Sequence, residues 1–157
     1  WEWTPRVVKR FFERTLLKDS YVVCDVAFPY LFNANSEDHV GDSSIESRLY
    51  RAVTGEDVSE EASYEVGDML CTLERAIQVR EGRTRDDDVL HDLCFEQTDA
   101  AGRRYDRAHL ERAKDEYYRL MGWDARGVPT RECLEGFGIS DVASDLERRG
   151  LLVSQGS

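Results

Sequence analysis

The sequence predicts an all-α domain. Apolar residues recur at three- and four-residue spacing through most of the chain, side chains that cap helices and glycines that end them bracket the stripes, and strict apolar–polar alternation is scarce. At 157 residues the chain is long enough for one domain with a sizeable core. The expectation is a single helical domain over residues 1–153, with a frayed tail at 154–157.

The first helix opens at Thr4, a fair N-cap, with Pro5 at the first helical position, where its missing N–H costs nothing. Val8, Phe11, Phe12, Thr15 and Leu16 form its stripe, which weakens at Lys18–Asp19. Tyr21 to Ala27 is apolar apart from Cys24 and Asp25, and reads as a second helix or as a buried extended segment. Pro29 ends it in either case. NANSEDHVGD, at 33–42, is a loop by composition. Asp42 or Ser43 then caps a helix with Ile45, Leu49 and Val53 inside and Gly55 as its stop.

Ser59 caps the longest helix, with Glu60 and Glu61 in the first turn, where carboxylates are favoured. Ala62, Val66, Met69, Leu70, Leu73, Ala76 and Ile77 line one face before Gly82. Gly67 costs this helix about 1 kcal/mol relative to alanine, which points to a close helix crossing. A charged turn follows, and Val89, Leu90, Leu93 and Phe95 resume burial in a short helix or irregular segment. QTDAAGRRY is a loop or small hairpin. Asp106 caps a helix with Leu110, Ala113, Tyr117 and Leu120 inward and Gly122 as its stop. Thr130 caps a short helix through Leu134, and Ser140 or Asp141 begins a last one through Leu146.

Composition bounds the function. Hydrophobic residues make up 41% and charged residues 34%, as in ordinary soluble domains. The net charge of −11, from 32 acidic and 21 basic residues, disfavours a nucleic-acid partner, because phosphate contacts need a positive surface. No apolar run approaches the roughly 18–20 residues of a membrane span, so no membrane partner is expected. WEWTPRVVKR lacks an initiator Met and the basic-then-apolar pattern of a signal peptide, and the chain is expected to be a piece of something larger. The four cysteines, Cys24, Cys71, Cys94 and Cys133, never come as Cys-x-x-Cys. Reduced thiols in a cytoplasmic protein are the expected state.

Few residues invite chemistry. Cys24 sits in YVVCDVAF, where a lone thiol is most often core packing. A ligand role is the alternative, but one thiolate cannot hold zinc or an iron–sulfur cluster, so the other ligands would have to come from outside this chain. His39 lies among Glu37, Asp38 and Asp42 without fixed ligand spacing, and His91 and His109 are isolated. Asp86, Asp87 and Asp88 lack the alternation of a calcium loop and fit better as caps and arginine partners. No phosphate loop, nucleophile elbow or His-Glu-x-x-His occurs. Taken as a self-contained unit, the chain shows no active site.

Three stretches together resemble the C-terminal helical domain of the tungsten-containing aldehyde ferredoxin oxidoreductase family. They are AVTGEDVS at 52–59 with the helix ending LERAIQVREGRTRDDDVL at 73–90, DEYYRLMGWDARGVPT at 115–130, and Asp-x-x-x-x-Cys at Asp19–Cys24. The resemblance implies an irregular multi-helix domain at the C-terminal end of an oxidoreductase that converts aldehyde and water to carboxylate and passes electrons to ferredoxin. It implies a tungsto- or molybdo-bispterin and a [4Fe-4S] cluster in the full-length enzyme, and neither in the isolated fragment. Three cluster cysteines would come from a middle domain, and the fourth falls on Cys24. The pterin contacts fall on Asp19, through its carboxylate, and on Val23, through its backbone. The implied partners are the N-terminal and middle domains, ferredoxin or another electron-transfer subunit, and a second copy in a homodimer. A non-catalytic helical domain acting in assembly or partner binding is the alternative.

Departures from the family pattern accompany the match. Val22 stands where the motif Asp-x-x-Gly-x-Cys has glycine, so a left-handed backbone there would be strained. His91 replaces a proline, and Met121 replaces an arginine before Gly122–Trp123. The loop FPYLFNANSEDHVGDSSIE is long and polar. These features resemble a divergent branch, and such branches include ring-reducing enzymes acting on aromatic thioesters.

Overall fold

The computed structural model describes residues 4–24, 26–28, 33–98, 100 and 102–152. Helices α1 (Thr4–Ser20), α2 (Ile45–Thr54), α3 (Glu60–Arg80), α4 (Leu93–Glu96), α5 (Arg107–Met121), α6 (Arg131–Gly136) and α7 (Ser140–Arg148) follow one another, with a 3₁₀ turn at Arg85–Asp87. The described residues form no sheet; an isolated bridge pairs Trp123 with Pro129. The architecture is all-α, as the periodicity predicts. Two compact units divide it: Arg10–Cys71, and the described residues of 1–9 with those of 72–157.

Most helix boundaries obey local chemistry. Gly55 caps α2 in the left-handed conformation, φ 79°, its N–H donating to the Arg51 carbonyl. The residue preceding α2 is Ser44, and Asp42 supports it by accepting from the Ser44 amide at 2.9 Å. The Ser59 hydroxyl accepts from Ala62 N at 3.1 Å, Asp106 accepts from Ala108 N, and Thr130 accepts from Cys133 N at 3.2 Å. The last two helices run slightly beyond the expected Leu134 and Leu146. The tail at 154–157 and the stop at Pro29 lie outside the described residues.

The buried faces differ from the expected stripes in several places. In α1, Phe11 and Phe12 are exposed, whereas Glu13, Arg14, Leu17 and Lys18 are buried. In α3, Val66 and Ile77 face solvent, and Ser63, Cys71, Thr72, Arg75, Ala76 and Val79 are buried. Val53 is exposed at the end of α2, as are Val89, Leu90 and Leu93 around α4. In α5, Tyr118 and Met121 take the deepest positions rather than Tyr117 and Leu120. Buried ion pairs explain the main shifts, because they bring charged side chains to faces that apolar spacing alone assigns to hydrophobes.

Within Arg10–Cys71, Gly67 of α3 meets the backbone of α1 at Glu13. A Cβ there would lie 2.5 Å from the Glu13 carbonyl oxygen, so the glycine does permit a close crossing. In the other unit, Ala76, Val79, Val128, Leu134, Ala143 and Leu146 form the core, with Ile139, Val142, Leu151 and Leu152 packed against it.

Beside that core lies a carboxylate clasp. Asp88 accepts from Arg75 at 3.0 Å, from Arg83 at 2.9 Å and from the Tyr118 hydroxyl, and its other oxygen forms an ion pair with the Arg75 guanidinium at 2.8 Å. Arg75 also donates to the Gly127 carbonyl at 2.7 Å. Gly127 has φ 76°, and a Cβ there would stand 2.5 Å from the Arg75 guanidinium. The clasp thereby ties the stretch 73–90 to the stretch 115–130. Burial raises the Tyr118 hydroxyl far above its usual range, and the Asp88 carboxylate adds to the effect.

Candidate functional site

The end of α1 builds the segment that carries the candidate ligand. The Val22 amide donates to the Asp19 carbonyl at 3.0 Å, and the Val23 amide donates to the Lys18 carbonyl at 2.9 Å. That pair of bonds is the Schellman closure of a helix C-terminus. The closure requires the first of its two donor residues to be left-handed, and Val22 is so at φ 56°. A Schellman cap normally uses glycine at this position because a Cβ is disfavoured there. The local geometry thus gives a physical reason for glycine in the motif, and this chain holds the geometry with valine.

Residues 21–22 and 26–27 are turns and 23–24 are irregular, which is neither of the two forms that their apolar run allows. The reason lies in the bonds: the Schellman closure redirects the chain, and the Phe28 amide then donates to the Cys24 carbonyl at 3.0 Å. Asp25 lies outside the described residues.

The structure places Asp19 and Cys24 on exposed positions and Val23 at a half-buried one. Val22 is 92% exposed and Val26 89%, so apolar side chains flank the thiol on the surface. Cys24 is therefore not a packed core thiol, which the residue type alone favours, and it carries no disulfide. Cys71 is buried, and Cys94 and Cys133 are half-buried. The Cys133 thiol donates to the Met121 carbonyl at 3.2 Å, in keeping with packing.

Among the described residues, no group of three or more His, Cys, Asp or Glu side chains could hold a metal ion. An exposed single thiolate fits a cluster only as one ligand among others that come from elsewhere, and the exposure of Cys24 meets that condition. The Val23 N–H is already committed to Lys18. A backbone contact from Val23 to the N–H groups of a pterin would therefore use its carbonyl.

Sequence reasoning missed the polar network behind this segment. Lys18 is buried, and its ammonium donates to the Phe28 carbonyl at 2.6 Å and lies 3.6 Å from Glu46. Arg14 binds Glu46 as well, and donates to the Ser43 carbonyl at 3.0 Å and to the Tyr64 hydroxyl at 2.9 Å. Tyr21 stacks on Tyr50 with centroids 6.3 Å apart. The available signal was the spacing of Arg14 and Lys18, four apart and hence on one face of α1.

The other acidic candidates have structural partners. Asp87 accepts from the Thr84 amide at 2.7 Å, which lowers its carboxyl pKa and caps the 3₁₀ turn. His39 lies in an exposed turn at φ 56°, with Asp38 held by the Val40 amide.

Residues 2–139 match the family described as aldehyde ferredoxin oxidoreductase, domains 2 and 3. The chain is also similar to a solved structure titled the active site complex BamBC of benzoyl coenzyme A reductase in complex with 1,5-dienoyl-CoA. The two are 28% identical with a TM-score of 0.57, over 73% of this chain and 16% of that one. The chain thus spans about one sixth of the structure it resembles.

Proposed function

The chain belongs to the aldehyde ferredoxin oxidoreductase family, and from that membership we propose that it is a redox domain of a larger tungsten- or molybdenum-pterin, iron–sulfur oxidoreductase. Within it, Cys24 would give its thiolate to one iron of a [4Fe-4S] cluster whose other ligands come from the rest of the enzyme. Asp19 would accept hydrogen bonds from a pterin, and the Val23 carbonyl would do the same. When bound, the cluster supplies one-electron transfer and the pterin metal supplies the substrate chemistry.

The chain's own residues hold and shield that site. The Schellman closure sets where the backbone turns, and so fixes the thiolate relative to Asp19. Exposed Val22 and Val26 would be covered by the preceding domains, excluding water from the ligand. A drier surrounding and the hydrogen bonds around a thiolate sulfur tune a cluster's potential.

The substrate reading is reduction of an aromatic ring carried as a thioester, in preference to oxidation of an aldehyde. The observation that carries it is the 28% identity to the benzoyl coenzyme A reductase complex. In that reaction the ring takes up two electrons and two protons and becomes a cyclic diene. The electrons would come from a reduced ferredoxin or another electron-transfer subunit, and a second copy of the enzyme is a further proposed partner.

The full-length protein tests this reading. Purified without oxygen, it should contain iron with tungsten or molybdenum. With a low-potential electron donor it should convert benzoyl-CoA to the dienoyl thioester, and should oxidise simple aldehydes poorly. Aldehyde oxidation with no ring reduction would overturn the substrate assignment, and a metal-free active preparation would overturn the cofactor assignment.

A further inference from the structure

We infer that Lys18, held by Glu46 and Arg14, is the positioning residue for the Cys24 thiol; this rests on the reading of Cys24 as a cluster ligand. Lys18 grips the chain on both sides of that cysteine. Its carbonyl accepts from the Val23 amide at 2.9 Å, one residue before the thiol, and its ammonium donates to the Phe28 carbonyl at 2.6 Å beyond it. The Phe28 amide closes the arc by donating to the Cys24 carbonyl at 3.0 Å.

The burial of Lys18 argues that the grip has a purpose beyond packing. Its side chain is 1% exposed, and Glu46, at 3.6 Å, is 3% exposed. An ammonium taken from water is unfavourable unless it is paired and hydrogen-bonded, and apolar residues of similar volume often stabilise such a site as well or better. A methionine would fill the same space, but it could not hold the Phe28 carbonyl. The segment also needs a pin: its described residues form no regular secondary structure, and its turn runs through a valine at φ 56°. Arg14 keeps Glu46 in place by binding it alongside the Ser43 carbonyl and the Tyr64 hydroxyl. The buried charges thus transmit the rigidity of α1, α2 and α3 to one exposed thiol.

The test compares Lys18→Met, Lys18→Arg and Cys24→Ala in the full-length protein, with circular dichroism as the check on folding. In Lys18→Met the Phe28 amide should exchange with deuterium about tenfold faster than in the parent, while the Gly55 amide at the end of α2 is unchanged. The reduced cluster of Lys18→Met should show altered EPR g values and a shifted midpoint potential, both restored in Lys18→Arg. Parental exchange at Phe28, or a parental EPR spectrum and potential at full iron content, would overturn the proposal. Unchanged iron in Cys24→Ala defeats the ligand reading separately, and Phe28 exchange then decides whether Lys18 positions the segment. Should Lys18→Met not fold, exchange in the parent decides: strong protection at both Val23 and Phe28 supports the grip, and unprotected amides overturn it.

Discussion

A Cβ placed on Gly67 would stand 2.5 Å from the carbonyl oxygen of Glu13, so α3 crosses α1 there with backbone against backbone. The contact has no flexible side chain to give way. Gly67→Ala is expected to destabilise Arg10–Cys71 by about 1–3 kcal/mol through overpacking, although alanine is the better helix former by about 1 kcal/mol. A lowered urea midpoint with unchanged slope would bear this out, and a raised midpoint would count against the crossing.

Val22 invites the opposite substitution. A left-handed backbone costs a residue with a Cβ about 1–2 kcal/mol, more than the roughly 0.5–1 kcal/mol of chain entropy that glycine forfeits on ordering. Val22→Gly should therefore raise stability by about 0.5–1 kcal/mol, read from chemical denaturation. A loss of stability would mean that the turn does not hold its left-handed residue in solution.

The fold class was legible because caps and stops are local chemistry. Ser59, Asp106, Thr130, Gly55 and Gly122 act where their types predict, whatever the tertiary structure does. The faces were harder to read. Apolar spacing assigned Phe11 and Phe12 to the inside of α1, but the structure buries Arg14 and Lys18, whose partner Glu46 is distant in sequence. Hydrophobic periodicity carries no information about a pair of that kind.

The two long stretches behind the family resemblance owe their closeness to another such pairing, between Arg75, Asp88, Tyr118 and Gly127. Their chemistry is that of a fold clasp. Asp19 and Cys24 were legible only through the resemblance, since a lone thiol in an apolar run reads as core until the structure exposes it.

Asp88 makes the clasp sensitive to acid. Burial alone would raise its carboxyl, but hydrogen bonds from Arg75, Tyr118 and Arg83 outweigh it and hold the pKa below the ordinary value. A depressed carboxylate stabilises the fold above its unfolded pKa, and that contribution is lost as pH falls through the folded value. Stability should thus decline below about pH 4, and less steeply in Asp88→Asn. The variant should also lose on the order of 2 kcal/mol at neutral pH, because charge-assisted hydrogen bonds are removed. Parallel pH profiles for variant and parent would contradict the assignment.

Leu134 lies at the centre of the other core, with no exposed surface. Leu134→Ala should cost about 2–5 kcal/mol, the transfer loss together with the cavity left behind. The check is a thermal melt against Leu152→Ala, which should cost less because Leu152 is only half-buried.

Iron content of the anaerobically purified full-length protein tests the ligand assignment most directly. Cys24→Ala should lose the [4Fe-4S] EPR signal and most of its iron, while Cys94→Ala retains both. Parental iron and a parental signal in Cys24→Ala would contradict the assignment, leaving the exposed thiol at the end of α1 without a cluster to bind.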